Sequence, residues 1–244
     1  MSSSRLDWID ISRGIFFFPM FIFHLFSIYD INTGTKYSSQ SIINFLGYVR
    51  LLYIMLAGVS IYLASNSKKT QSIFKFLKKR CLRSYHIAIY AIAITILTYF
   101  LYPNIMIRFG VLHFIALGTL IVSPIAYLNS KYITFIFFVI SIILSYGNCI
   151  PSISKPIDVI LGGGKLSPYP SMDWFPLLKY IPYLLFGLLI AQIFKFNNDN
   201  KNEVNKKSPF VQLEWMGKKS LELYAAHVII ILVIYYVIFN KNKK

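Results

Sequence analysis

The chain has 244 residues, 56% of them hydrophobic and 14% charged, and a formal net charge of +16. Soluble domains carry nearer a quarter charged residues, so this composition excludes an ordinary soluble globular protein. In a soluble chain so much positive charge would suggest nucleic acid, but here it gathers in segments between long uncharged blocks, which fits membrane topology and argues against a nucleic-acid partner.

The uncharged blocks predict about seven transmembrane helices, at roughly 11–29, 46–65, 85–103, 109–129, 132–148, 174–195 and 220–239, in a single domain covering 1–244. A spanning helix needs ~20 mostly apolar residues. The apolar runs are continuous, which rules out the period-two alternation of a membrane β-barrel and leaves helices as the only way to satisfy the backbone in lipid. The expected fold class is an all-α polytopic membrane protein. The first block has an Arg before it and no small-residue cleavage site after it, so it reads as an uncleaved span.

Segment 30–44 reads as a polar outer loop. Segment 65–84 is basic and amphipathic, with Ile73, Phe74, Phe76, Leu77 and Leu82 expected on lipid and the lysines at anionic headgroups. Segment 148–173, with glycines at 162–164 and several prolines, reads as a flexible outer loop or re-entrant lid, and 197–209 as a polar linker. No internal repeat of the kind found in many transporters is visible. The Lys/Arg bias places the N-terminus in the cytoplasm and the C-terminus outside, in a cell membrane, although the basic C-terminal tail pulls the other way. Arg50 and Lys179 are read as flanking residues that snorkel. Cys81 and Cys149 fall on opposite sides in this topology and cannot pair.

Ionisable groups inside apolar helices are functional candidates because they cost several kcal/mol without a polar cavity or partner. They form three groups. In the first helix Asp10, Arg13, Phe17, Met20 and His24 recur at three- and four-residue steps and share a face. Arg13 and His24 are about 16 Å apart along it. Asp10 and Arg13 are expected either to serve a ligand or simply to pair at the interface. The second group is Arg108, Gly110 and His113 at the start of the fourth helix. The third is Ser220, Tyr224 and His227, at i, i+4 and i+7, to which Asp173 is added; Asp173 reads alternatively as a cap for the helix after it, with Pro176 in the first turn. His86 looks interfacial. Three intramembrane histidines suggest proton handling or acyl transfer, because imidazole titrates near neutrality. No metal spacing, phosphate-binding glycine loop or Gly-x-Ser-x-Gly element occurs.

At these residues the sequence resembles the heparan-alpha-glucosaminide N-acetyltransferase catalytic (YeiB-like) family. The matching pieces are Arg5 with Asp10-Ile11-Ser12-Arg13-Gly14-Ile15, Met20 and His24; Ala57-Gly58-Val59-Ser60; Phe109-Gly110-Val111-Leu112-His113; Asp173-Trp174-Phe175-Pro176 leading to Gly187; and Met216-Gly217-Lys218-Lys219-Ser220-Leu221-Glu222-Leu223-Tyr224-Ala225-Ala226-His227. The resemblance implies a membrane acyltransferase that takes an acetyl or other acyl group from cytosolic acetyl-CoA and delivers it to an outer-face acceptor, a carbohydrate amine or hydroxyl in the first instance, with no metal. Its expected catalytic residues are His24, Arg108, His113, Asp173 and His227. Asp10, Arg13, Gly14, Lys78, Lys79 and Arg80, with Lys68 and Lys69, are expected at the CoA phosphates, and Ser220 and Tyr224 at the oxyanion. The chain is shorter than the lysosomal members, which leaves the acceptor open, and homo-oligomerisation stays open too. The competing classes are a proton-coupled transporter or flippase and a scaffold subunit without chemistry.

Overall fold

The computed structural model describes residues 7–34, 40–66, 72–146, 152–162, 169–196 and 210–241. The expectations placed on Arg5, Lys68, Lys69, Cys149, the glycines at 163 and 164 and the linker 197–209 lie outside them. The described residues are helical, with no strand: α1 Asp7–Thr33, α2 Gln40–Asn66, α3 Ile73–Leu101, α4 Val111–Leu128, α5 Lys131–Tyr146, α6 Lys155–Leu161, α7 Leu177–Ile193, α8 Val211–Lys218 and α9 Ser220–Lys241. Five of these, α1 to α4 and α9, are long and apolar enough to cross a membrane, while α5 and α7 are shorter apolar helices at the other two expected positions. The protein is therefore an all-α, multi-pass integral membrane protein.

Three elements differ from the expectation. The basic segment before the third span does not form a separate surface helix. It is the first part of the 29-residue α3, because nothing between Ile73 and Leu101 breaks a helix. Phe76, expected on lipid, is 2% exposed and packs on Tyr127. It opens an inward stripe that continues through Ser84, Ile87, Ala91, Ile94 and Thr98. The segment 148–173 contains the short α6, started by a proline in its first turn and stopped at Gly162, whose φ of +88° suits glycine. The stretch before the last span folds into α8, which ends at Lys219 directly before α9.

The helices group into two compact units, residues 1–53 with 198–244, and residues 54–197. In the first, α1 packs on α8 and α9. Two glycines set the α1–α8 distance. A Cβ on Gly14 would lie 2.2 Å from the Leu213 carbonyl oxygen, and one on Gly217 would lie 1.7 Å from the Asp10 carbonyl oxygen. Without side chains between them the two backbones touch, the usual way membrane helices gain packing area. In the second unit α3 packs on α4, and α7 lies against α4, α5 and α6. Gly58 and Gly187 meet the backbones of Leu184 and Met55, bringing the second half of α2 onto α7 in the same manner.

Candidate functional site

The residues expected to carry chemistry divide between the two units. In the first, the α1 stripe is realised. Asp10 is 1% exposed, and its Oδ1 accepts from Arg13 Nη1 at 3.2 Å, one turn away. Asp10 Oδ2 is buried and has no hydrogen-bond partner among the described residues. Gly14, one residue after Arg13, is filled by the backbone of α8.

Higher on the same helix face, His24 meets His227 of α9. His227 Nε2 is 3.2 Å from His24 Nδ1, and the rings cross edge to face at 5.1 Å. The protons can be placed by elementary chemistry. His24 Nδ1 lies 2.8 Å from the Met20 carbonyl oxygen, and His227 Nδ1 lies 3.0 Å from that of Leu223. A carbonyl only accepts, so each Nδ1 carries a hydrogen. The His24 Nδ1–H is then shared between Met20 O and the lone pair of His227 Nε2. This tautomer leaves His24 Nε2 as an unprotonated nitrogen with no hydrogen-bond partner among the described residues. His227 is buried and His24 half-buried. Phe17 and Phe21 pack on His227, and Tyr224 packs on both imidazoles. Ser220 sits one turn before Tyr224, in the first turn of α9. Phe23 lies against His24 at 5.6 Å and carries the Arg50 guanidinium 5.1 Å over its ring. Sequence reasoning placed Arg50 at the membrane rim and missed this neighbourhood, because spacing within one helix says nothing about a ring on another.

The second unit holds Arg108, His113 and Asp173, and here the polar groups hold the backbone. Asp173 Oδ2 accepts from the Val111 N–H at 3.0 Å and so caps α4. The expected cap of the following helix is not made: α7 starts after Pro176 without a side-chain cap. The reason is the chain path. Phe175 N–H donates to Phe109 O, and Met172 N–H donates to Ile105 O, so the stretch before α7 runs alongside the stretch before α4. Gly110 is needed at this contact, since a Cβ there would stand 2.7 Å from Asp173 Oδ2. His113 Nδ1 accepts from the Gly110 N–H at 3.3 Å, which puts the ring hydrogen on Nε2, facing Thr95 Oγ1 at 3.3 Å. Both His113 nitrogens are thus engaged. Arg108 donates to Pro170 O at 3.0 Å and stacks over Tyr169 at 4.6 Å. Thr95 and Thr98 were not singled out in the sequence, yet Thr98 Oγ1 accepts the Ile107 N–H just ahead of α4. Hydroxyls at helical spacing in an apolar run give no sign that another segment will seek them.

Lys78 and Lys79 are exposed at the start of α3, and Arg80 lies over the Phe76 ring at 5.6 Å with its Nε buried and unpaired among the described residues. Cys81 is free and exposed.

The fold and the site define a multi-pass helical membrane protein with two paired imidazoles on apolar helices of one unit. Residues 5–229 match the family described as heparan-alpha-glucosaminide N-acetyltransferase, catalytic, and the chain belongs to that family. It is accordingly a membrane acyltransferase. Comparisons with curated proteins and with solved structures return no match.

Proposed function

We propose that the protein moves an acetyl or other acyl group from cytosolic acyl-CoA to a sugar amine or hydroxyl on the outer face of the cell membrane, with its N-terminus in the cytoplasm and His24 as the reacting imidazole. The observation that carries this reading is the tautomer of the His24–His227 pair, which leaves His24 Nε2 as a lone pair with no partner among the described residues. Such a nitrogen takes a proton or attacks a carbonyl carbon.

Used as a base, Nε2 removes the acceptor's proton as the acceptor attacks the thioester carbonyl. The C–S bond breaks, and the imidazolium returns that proton to the CoA thiolate. Used as a nucleophile, Nε2 forms the bond to the acyl carbon, CoA leaves, and the acceptor then displaces the imidazole. Incubating the protein with radiolabelled acetyl-CoA and no acceptor separates the two, because only the second leaves label on the protein. His227 holds the tautomer in either case, and Tyr224, whose ring contacts both imidazoles, supplies a hydroxyl to the oxyanion. Ser220 serves as a further donor. Two sets of cations suit CoA phosphates, Arg13 held by Asp10, and Lys78, Lys79 and Arg80 on α3. Substitution of each set decides between them. Arg108, His113 and Asp173 act here as the supports of α4.

The test is free CoA release from acetyl-CoA by the detergent-purified protein, with and without a panel of amino sugars, wild type against His24→Ala. Loss of release with retained CoA binding supports the assignment; full turnover in the variant removes it.

A further inference from the structure

Residues 31–157 hold twelve lysines and arginines and no aspartate or glutamate. The second unit has two carboxylates, Asp158 and Asp173. Asp158 is engaged by Ser152 and the Ile153 N–H beside α6, and Asp173 caps the start of α4. Phe76 against Tyr127 and His113 facing Thr95 make α3 antiparallel to α4, while Phe114 on Tyr180 and Gly118 on Leu184 make α7 parallel to it. The end of the unit where α4 and α7 finish and α3 begins therefore carries cations and no carboxylate of its own. Depth adds a constraint. α3 has 29 residues, about 43 Å of helix, where ~20 cross the hydrocarbon. Counted back from Leu101, that length is used up near Leu82, so Arg80 stands at the depth of the lipid headgroups. Exposed Phe74, Leu82 and Tyr85 lie among the basic residues of these turns, the surface of a helix that meets membrane.

Arg80 and Ser84 are one turn apart on the inward face of α3. Arg80 rests over the Phe76 ring, by the carbonyl end of α4, yet it makes no hydrogen bond or ion pair among the described residues, and its Nε is buried. Ser84 is 3% exposed and its Oγ is also without a partner. The hydroxyls of Ser60, Ser123 and Thr98 each donate to the carbonyl four residues back, as intrahelical hydroxyls ordinarily do. Ser84 leaves that bond unmade. Two unsatisfied donors, one of them charged, thus adjoin each other in a unit end that holds no anion, and each costs free energy until an acceptor arrives.

We propose that Arg80 and Ser84 bind the phosphodiester of an anionic phospholipid at the mouth of the α3–α4 seam, with Arg80 as the charged donor and the Ser84 hydroxyl as the second. The lipid supplies the counter-charge that the second unit lacks and ties α3 to the headgroup layer. The site is independent of acyl transfer, and it leaves Arg13 as the cation for the CoA phosphates.

The experiment titrates the detergent-purified full chain with phosphatidylglycerol, phosphatidylcholine and CoA and counts bound molecules by native mass spectrometry. Wild type is compared with Arg80→Gln, Arg80→Lys, Ser84→Ala and the double variant Lys78→Gln with Lys79→Gln. Wild type is expected to bind one phosphatidylglycerol about tenfold more tightly than phosphatidylcholine, the scale of one charge-assisted hydrogen bond. Arg80→Gln should abolish that preference, Arg80→Lys keep part of it, and Ser84→Ala weaken phosphatidylglycerol binding several-fold. The double lysine variant removes two charges and should keep most of the preference. Equal binding of the two lipids by wild type overturns the proposal, and this comparison needs no variant to fold. So does a preference that survives in Arg80→Gln, or an unchanged affinity in Ser84→Ala. A fall in the double lysine variant as large as that in Arg80→Gln overturns it too, by making the attraction a diffuse property of the basic turns. Displacement of the lipid by CoA, with CoA affinity lost in Arg80→Gln, overturns it by giving the guanidinium to the acyl donor.

Discussion

His24 and His113 are both half-buried imidazoles in apolar helices, and the chain treats them oppositely. In the first unit the ring hydrogen of His24 is pinned on Nδ1 by a carbonyl of its own helix, and Nε2 is left over. In the second unit the hydrogen of His113 is pushed to Nε2 by a backbone N–H that claims Nδ1, and Thr95 takes the other side. The difference comes from position along the helix. Mid-helix, the nearest backbone group able to pair is the carbonyl four residues back, whose second lone pair accepts. In the first turn it is an orphan N–H, which donates. The same residue type thus keeps one ring nitrogen without a partner among the described residues in one place and serves as a cap in the other.

The sharpest way to break this contrast is to remove each imidazole in turn. His24→Ala is expected to lower kcat by roughly 10²–10⁴-fold, the range for losing a positioned base, with CoA affinity retained by calorimetry. His113→Ala should leave most of the turnover and instead cost ~1 kcal/mol of stability, as loss of a cap does, seen as a lower unfolding temperature in detergent. Comparable losses of turnover in the two variants would end the distinction.

Gly217→Ala probes the scaffold of the first unit. Its methyl would enter the Asp10 carbonyl, so α8 must move, at a cost of about 1–3 kcal/mol for overpacking. Turnover and unfolding temperature should fall together, because Asp10 belongs to the helix that carries His24. His227→Gln sharpens the tautomer argument: a glutamine oxygen can accept from His24 Nδ1–H as the imidazole nitrogen does. It should retain more turnover than His227→Ala, which is expected to lose about tenfold, with kcat rather than KM carrying the loss. The smallest effect is expected at Asp173. Asp173→Asn keeps an acceptor for the Val111 N–H and should change the unfolding temperature less than Asp173→Ala, whose cost is about 1 kcal/mol.

The α1 stripe was legible because a helix repeats every 3.6 residues: Asp10, Arg13, Phe17, Met20 and His24 had to share a face, and the Asp10–Arg13 pair follows from a three-residue step. The same periodicity put Tyr224 and His227 together on α9. It was silent on the meeting of His24 with His227, which are 203 residues apart. Asp173 shows the opposite failure. Local capping rules point it at the helix it precedes, but the pairing of its segment with the chain around Phe109 hands it to α4. Short elements were also lost to composition. α6 sits in a segment rich in glycine and proline, and α8 in a polar one, and neither has an apolar run long enough to register.

By itself the sequence determined that the chain is a helical, multi-pass membrane protein, which residues inside the apolar helices are ionisable, and, through ordered motifs, which family they resemble. Those properties depend on local composition and on spacing within one helix. Only the tertiary structure decided which imidazole keeps a free lone pair, which carboxylate caps which helix, and that Arg50 shares a ring with His24. Each of these is a contact between segments distant along the chain, and the periodicity of a single helix contains no term for its neighbour.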